Sequence, residues 1–391
     1  MTTSAAGDAA MATDVSAVPG AGLPLVDHHC HGVVRGELGR DAFELLMTEA
    51  GTPAPAGTTH FDTPVGLAIR RWCAPVLDLG PHTSPDTYVA RRAELGGPEV
   101  NRRFLSRAGI GRFLVDTGYA AADLLTPEEL AHSGGGAAGH VVRLEAVAEQ
   151  VAASAPAAAS YADRFGVELA RQAAGAVGLK SIIAYRYGLD IAPEPPRAAE
   201  VTEAAGRWLA APDPPRLAEP VLLRHALWAG VEVARERGLP LQFHTGYGDP
   251  DLDLHRCDPA LLTGFIRAVR SYGVPVMLLH CYPYHRQAAY LAAAYPHVYV
   301  DVGLALTYTA ASSGTVIAEM MELAPFHKQL FSSDAFGLAE FFYLGAMFYR
   351  RGLGAVLARW VERGECGAAD AERIAALIGA ENARRVYDLP G

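Results

Sequence analysis

Two histidines near the start of the chain are spaced to bind one ligand together. His29 and His31 end the apolar run that begins at Val26. Residues i and i+2 of an extended strand project to the same face, so one strand would supply two imidazoles. Two later apolar runs end in His244 and Asp334, each just before a glycine-containing loop. Imidazole nitrogens with a carboxylate suit Zn²⁺ and similar divalent ions, and the three segments together predict a metal site.

The strands that must carry these residues are predicted from apolar runs bounded by turns. Eight runs have strand length: 23–29, 112–117, 140–145, 176–184, 240–244, 274–280, 297–302 and 329–334. Helical patterns follow several of them, at 222–237, 259–272, 284–294 and 313–322. Repeated strand-then-helix units predict a parallel sheet. We therefore expect an α/β fold of the (β/α)8 TIM barrel type, although periodicity does not prove that the barrel closes.

The spacing of the runs also predicts the domain organisation. The connection 32–108 is too long for a simple crossover, so it is expected to form an inserted helical subdomain between strands one and two. Residues 1–22 are small and are expected to form a disordered tail, which leaves 23–391 for the barrel and its insertion. Segments 340–363 and 368–386 are predicted to be C-terminal helices.

Composition excludes several classes of partner. Half of the 391 residues are apolar and the net charge is −10, without a basic block, so nucleic acid and anionic membranes are poor partners. No apolar stretch of spanning length is present, so no membrane partner is expected. The five cysteines have no Cys-x-x-Cys spacing, which favours a reducing, cytoplasmic location. A small-molecule substrate is expected, and because barrels of this type commonly associate, a homo-oligomer is an open alternative.

The predicted strand ends bring the chemistry to one place. In a (β/α)8 barrel the active site lies at the carboxyl ends of the strands. Eight residues with suitable side chains fall at or near these ends: His29, His31, Glu145, Lys180, His244, His280, Asp301 and Asp334. Such a convergence is what a metallohydrolase requires.

With these residues in place, the sequence from Leu23 to Tyr387 resembles the amidohydrolase superfamily, in its amidohydrolase-related branch. The matching motifs are Asp27-x-His29-x-His31, His244, His280 and Asp334. The segments 178–186, 243–251, 280–284 and 331–337 are similar to the amidohydrolase domain of FluG-like and nodulin-type proteins, which is fused to a glutamine synthetase. The fusion suggests γ-glutamyl or related amide chemistry by association only.

The resemblance implies roles for these residues. His29, His31 and His244 would bind a divalent metal, with Zn²⁺ expected and Mn²⁺ as an alternative. Asp334 would be both a ligand and the group that carries the proton, and His280 would stabilise the oxyanion. Asp27, His28, Glu145 and Asp301 are the groups considered for orienting the ligand histidines.

Lys180 leaves two main alternatives open, besides a structural lysine that faces outward. If it is carboxylated by CO₂, the carbamate would bridge two ions and His280 would become a ligand of the second ion. If it stays an ammonium group, it would bind a substrate carboxylate instead. Arg186 and its neighbour Tyr187 are further substrate-binding candidates, since a guanidinium pairs well with a carboxylate. An ion pair of Arg186 with Asp190 or Asp249 is an equal alternative for this side chain.

The expected function is metal-dependent hydrolysis of a C–N bond in a small amide that carries a carboxylate, with a γ-glutamyl amide as one option. A metal-dependent decarboxylase is the alternative within enzymes, because the same branch of the superfamily includes enzymes that remove CO₂ with a similar ligand set. A barrel that serves as a signalling or scaffold protein without turnover is the alternative from another class.

Overall fold

A curled parallel β-sheet forms the centre of the fold. The computed structural model describes residues 22–119, 123–211 and 216–390, so the predicted tail, apart from Gly22, lies outside the described residues. Each strand pairs with the next one in the sequence. The strands are β1 (Leu25–Cys30), β2 (Ile110–Asp116), β3 (Ala137–Arg143), β4 (Ala176–Ser181), β5 (Leu241–His244), β6 (Val276–Leu279) and β7 (Val298–Val300).

The eighth predicted strand is an irregular segment, so the prediction of eight regular strands is corrected to seven within the described residues. The segment nevertheless bonds to a strand on each side. The amide of Leu330 donates to the carbonyl of Val300 at 3.0 Å, and the amide of His28 donates to the carbonyl of Phe331 at 3.2 Å. Asp334 has a φ of 47°, which interrupts extended backbone. The segment therefore links β7 to β1 without forming a continuous ladder.

Strand β1 contains a bulge next to the histidines. Asp27 pairs with Phe113 and Cys30 with Val115, so three steps along β1 face two steps along β2. An extra residue of this kind re-aims the side chains that follow it. Of the two adjacent histidines beside the bulge, His28 reaches Asp301 and Tyr387, whereas His29 reaches Gln242 of β5.

Helices follow the strands and pack against the sheet. They are α1 (Arg40–Leu45), α2 (Pro64–Ala68), α3 (Pro85–Leu95), α4 (Gly97–Ala108), α5 (Pro127–Gly134), α6 (Leu144–Ala153), α7 (Ala158–Gln172), α8 (Ile183–Arg186), α9 (Ala198–Leu209), α10 (Pro220–Arg237), α11 (Thr263–Val269), α12 (His285–Ala294), α13 (Gly303–Thr309), α14 (Ser313–Met321), α15 (Ala339–Glu362), α16 (Ala368–Ala376) and α17 (Asn382–Val386). Local signals explain their starts, as at α5, where Thr126 and Glu129 form a capping box. No helix among the described residues is long and apolar enough to cross a membrane.

Two apolar clusters hold the layers together. The larger cluster fills the space between the sheet and the surrounding helices. The smaller one combines strand residues such as Val26 and Met277 with Ala383 and Tyr387 at the C-terminal helix. Tyr387 is 4% exposed, and its hydroxyl contacts residues that lie next to the predicted metal ligands. The end of the chain is therefore part of the support of the site.

A buried ion pair joins the segment between β1 and β2 to α15. Arg92 of α3 donates to Glu340 through Nε at 2.6 Å and through Nη2 at 3.3 Å. The hydroxyl of Tyr88 also donates to Glu340, at 2.9 Å. The guanidinium of Arg92 lies 4.7 Å from the centre of the Phe43 ring. Because Arg92 is 5% exposed and Glu340 fully buried, neither group has water as an alternative partner.

Candidate metal centre

Two predicted ligand histidines, His29 and His31, and His280 surround the carboxylate of Asp334 at the carboxyl ends of the strands. Asp334 Oδ1 lies 3.2 Å from His29 Nε2 and 3.4 Å from His31 Nε2. Its other oxygen, Oδ2, lies 3.3 Å from His280 Nδ1. Ligand atoms of His29, His280 and Asp334 all lie within 4.8 Å of one another. The spacing of these four residues is compatible with a shared ion.

His244 completes the group from β5. Its ring centre lies 4.7 Å from that of His280 and 4.4 Å from that of Tyr185. His244 Nε2 and Asp334 Oδ1 are buried without a hydrogen-bond partner among the described residues, as are His31 Nδ1 and His280 Nδ1. Unpaired buried polar atoms are costly. The unpaired atoms of His244, His280 and Asp334 belong to side chains that line one cavity, and a divalent ion would use such lone pairs.

The protonation states also suit a metal. Burial, together with the charge of Lys180, lowers the pKa of His29 to about 3, and burial lowers the pKa of His280 to about 4. Burial also holds the pKa of His244 well below its ordinary value. Burial alone would raise the pKa of Asp334, but the neighbouring histidines outweigh it and keep that pKa well below its usual range. Neutral imidazoles and an ionised carboxylate are the forms that bind metal.

Gln242 of β5 fixes the orientation of His29, and the sequence analysis missed it. Its amide nitrogen donates to the carbonyl of His28 at 2.9 Å and to the hydroxyl of Tyr387 at 2.8 Å. Its oxygen Oε1 is therefore the atom that faces His29 Nδ1, at 3.0 Å. Since this oxygen can only accept, His29 carries its proton on Nδ1 and leaves Nε2 free for a metal.

Replacing Gln242 by Leu is expected to weaken zinc binding by about 10- to 100-fold, because His29 loses the partner that fixes its tautomer. The measurement is competition for Zn²⁺ against a chelator of known affinity, with circular dichroism to check the fold. Gln172→Leu on the surface of α7 is the matched control, since Gln172 bonds only to other side chains there. Equal zinc affinity in the two variants would contradict this role of Gln242.

The other residues considered for orienting the histidines have different partners. Asp301 accepts from His28 Nε2 at 3.0 Å and from the backbone amide of His280 at 3.0 Å. Asp27 accepts from the backbone amide of Ser333 at 2.9 Å. Asp27 and Asp301 therefore anchor the backbone next to His280 and Asp334, while His28 pairs with Asp301 and Tyr387.

Glu145, the remaining candidate, has its hydrogen-bond partners at the end of β4. It accepts from the hydroxyl of Ser181 at 2.6 Å and from the amide of Ile182 at 3.1 Å. Its carboxylate therefore anchors the end of β4, next to Lys180.

Lys180 lies inside the centre, with Nζ 3.2 Å from His29 Nε2. Burial lowers the pKa of Lys180 to about 8, although Asp116 and Asp334 oppose this shift. Asp116, at the end of β2, accepts from Arg143 at 2.7 Å and has an oxygen within 4.8 Å of nitrogen atoms of His29 and His31. The rule that places chemistry at strand ends applies to Asp116 as well, but it was not among the sequence-based candidates.

A cavity of about 420 Å³ lies at the centre, and its lining includes His29, His31 and Lys180. Neither Arg186 nor Tyr187, the predicted substrate-binding pair, is among its lining residues. Arg186 pairs instead with Glu149 at 3.2 Å, and the ring of Tyr187 lies 4.7 Å from the guanidinium of Arg256. Arg186 therefore forms an ion pair with a carboxylate, as in the second alternative, but its partner is Glu149 instead of Asp190 or Asp249.

The cavity contains two other guanidinium groups, those of Arg143 and Arg216. Arg143 is bound to Asp116 at 2.7 Å, and Arg216 to Asp251 at 2.9 Å. These two side chains line the cavity, whereas Arg186 does not.

This fold is that of a metal-dependent hydrolase, and its donor set suits a divalent ion. The chain belongs to the amidohydrolase family, whose model matches residues 117–389. The resemblance expected from the motifs is thereby confirmed.

Individual relatives agree with this placement. The chain is 28% identical over 408 residues to Protein fluG of Emericella nidulans, covering 94% of this chain and 46% of that protein. It thus spans about half the length of this curated relative. A crystal structure from Lactobacillus casei, of a protein described as a candidate metal-dependent hydrolase, is 28% identical and superposes with a TM-score of 0.83 over 96% of both chains. Uronate isomerase from Thermotoga maritima, at 12% identity and a TM-score of 0.63 over 93% of this chain and 94% of that one, shares the fold alone.

Proposed function

We propose that this chain hydrolyses a C–N bond of a small amide that carries a carboxylate, with γ-glutamyl amides as the first class to test. The observation that carries the proposal is the convergence of nitrogen atoms of His29, His31 and His280 on Asp334, with His244 lining the same cavity. Membership of the amidohydrolase family supports it. So does the similarity to fluG, which extends over 94% of this chain.

The proposed ligands of the ion are His29, His31, His244 and Asp334. Zn²⁺ is proposed because three imidazoles and one carboxylate form a donor set that zinc accepts, with Mn²⁺ as the alternative. When bound, such an ion polarises a carbonyl group and lowers the pKa of water to about 7.

Asp334 is the proposed proton carrier. Its carboxylate is ionised and lies at the centre of the donor set, within reach of a water molecule that attacks the amide carbon. Asp334 takes a proton from this water and returns it to the leaving amine, so that the amine departs in its neutral form. His280, a neutral imidazole, donates an N–H to the carbonyl oxygen as negative charge develops there.

Lys180 decides whether one or two ions are bound. A carbamate would supply the additional carboxylate that a second ion needs, with His280 as a further ligand. An ammonium group would instead face the substrate. Metal analysis separates the two: a carboxylated Lys180 requires two ions per chain, and an unmodified lysine goes with one.

The carboxylate of the substrate is proposed to bind at Arg143 or Arg216. Both guanidinium groups line the cavity, and Arg216 is 65% exposed, so it is accessible to a ligand. A guanidinium can bind a carboxylate through two parallel hydrogen bonds. These residues take the role that the sequence analysis gave to Arg186 and Tyr187.

The function is tested by incubating the zinc-loaded protein with γ-glutamyl amides and with carboxylic acids of similar size. Release of amine from the amides, detected by derivatisation, is the expected result. Release of CO₂ without amine would replace the proposal with decarboxylation. If the zinc-bound protein converts none of these amides and acids, a barrel without catalytic activity is favoured.

A further inference from the structure

Two carboxylates line the cavity without a basic partner. Glu49 follows α1, and Asp249 lies in the loop after β5; both are partly buried in the cavity wall. Within the described ranges neither carboxylate forms an ion pair. Arg216 lowers the pKa of Asp249 through its charge, but its ion-pair partner is Asp251, at 2.9 Å. The metal centre contributes a further carboxylate, Asp334, to the same space.

Tyrosines surround these two carboxylates. Tyr185 and Tyr308 line the same cavity as Glu49 and Asp249. The rings of Tyr247 and Tyr308 lie 5.7 Å apart. Aromatic faces carry negative potential and attract cations. This wall of the cavity therefore combines two ways of binding a positive charge.

The raised pKa of Glu49 is consistent with a site that binds a cation. Burial, together with the negative charges of Asp334 and Asp249, raises the pKa of Glu49 to about 7. The hydroxyl of Tyr308 lowers this pKa in part. A carboxylate in such surroundings is costly to ionise unless a positive charge lies beside it. No basic side chain among the groups that act on Glu49 supplies that charge.

We infer that Glu49 and Asp249 form a subsite for a primary ammonium group of the substrate. The inference rests on the proposed function, since it places the reacting bond at the metal centre of the same cavity. With Arg143 or Arg216 binding the carboxylate, the substrate is a zwitterion whose amino acid end is held away from the metal. Amides on the side chain of an amino acid have this arrangement of charges, whereas acyl amides without an amine do not.

The test uses pairs of ligands that contain no bond to hydrolyse and differ only in the ammonium group. The pairs are L-aspartate with succinate, L-glutamate with glutarate, and L-2-aminoadipate with adipate. Their binding to the zinc-loaded protein is measured by calorimetry for the wild type, for Glu49→Gln and for Asp41→Asn. Asp41 is exposed on the same segment as Glu49 and outside the cavity lining, so this variant controls for the change in net charge.

In the wild type and in Asp41→Asn we expect at least one amino acid to bind about tenfold or more tightly than its partner. Glu49→Gln is expected to remove most of this preference while leaving the affinity for the diacid within about threefold. A preference that persists unchanged in Glu49→Gln would overturn the inference, since it would then arise from chelation of the metal. The absence of a preference in all three pairs would overturn it as well.

This result is independent of turnover. If the binding preference is found but no amide is hydrolysed, the subsite stands and the proposed hydrolysis fails. If amides without an amine are hydrolysed as fast as those with one, the hydrolysis stands and the subsite fails.

Discussion

Replacing Asp334 by Asn is expected to lower the rate of amine release by about 10³- to 10⁴-fold. Asparagine keeps the size of the side chain but can neither take a proton from water nor carry the negative charge that three histidines surround. The measurement is kcat for the amide that the wild type hydrolyses fastest, at saturating zinc, together with the metal content of the variant. The loss is expected even in molecules that retain the ion.

Asp163→Asn is the control for this substitution, because Asp163 is exposed on α7 and is not among the residues that line the cavity. It should retain the activity of the wild type. An Asp334→Asn variant with activity within about tenfold of the wild type would show that another group carries the proton.

Replacing Glu340 by Ala is expected to lower the free energy of unfolding by about 3–5 kcal/mol. The substitution leaves the guanidinium of Arg92, which is 5% exposed, without its carboxylate, and removes the acceptor of the Tyr88 hydroxyl. Urea denaturation followed by tryptophan fluorescence measures the change. Glu362→Ala, at the exposed end of the same helix, is the control and should change the free energy of unfolding by less than about 0.5 kcal/mol.

The double variant Arg92→Leu/Glu340→Leu separates two explanations of that loss. Apolar residues that replace a whole buried ion pair are often neutral for stability, because the cost of taking both charges out of water disappears with them. We expect the double variant to recover at least half of what Glu340→Ala loses. A double variant as unstable as the single one would indicate that packing of α3 on α15, rather than an unpaired charge, causes the loss.

The residues of the candidate metal centre were predictable because their signal is local. An apolar run followed by His or Asp marks the end of a buried strand, and parallel strands bring such ends together, as they do for His29, His244 and Asp334. The position of the eighth segment between β7 and β1 was predicted, but its irregular backbone was not. Its irregular backbone depends on the left-handed conformation of Asp334 and on bonds to both neighbours, which no local pattern encodes.

Other features of the site depend on contacts that are remote in sequence. Gln242 lies 213 residues from His29, and nothing in the type of residue marks it as the partner of a ligand. Arg186 was assigned from its position just after β4, but the short helix α8 carries it to Glu149. Glu49 was not considered at all, because it comes from the long connection after β1, whose path over the cavity the sequence pattern does not give.

The contact of Tyr387 with Gln242 and His28 couples the site to the completion of folding. The residues joined through this one hydroxyl extend from position 28 to position 387, nearly the whole described chain. A chain in which α17 has not yet docked lacks the network that holds His29 in its binding form. High-affinity metal uptake would thus come late in folding, and release of the ion to a chelator would report on the loosening of the C-terminal helix before the barrel itself unfolds.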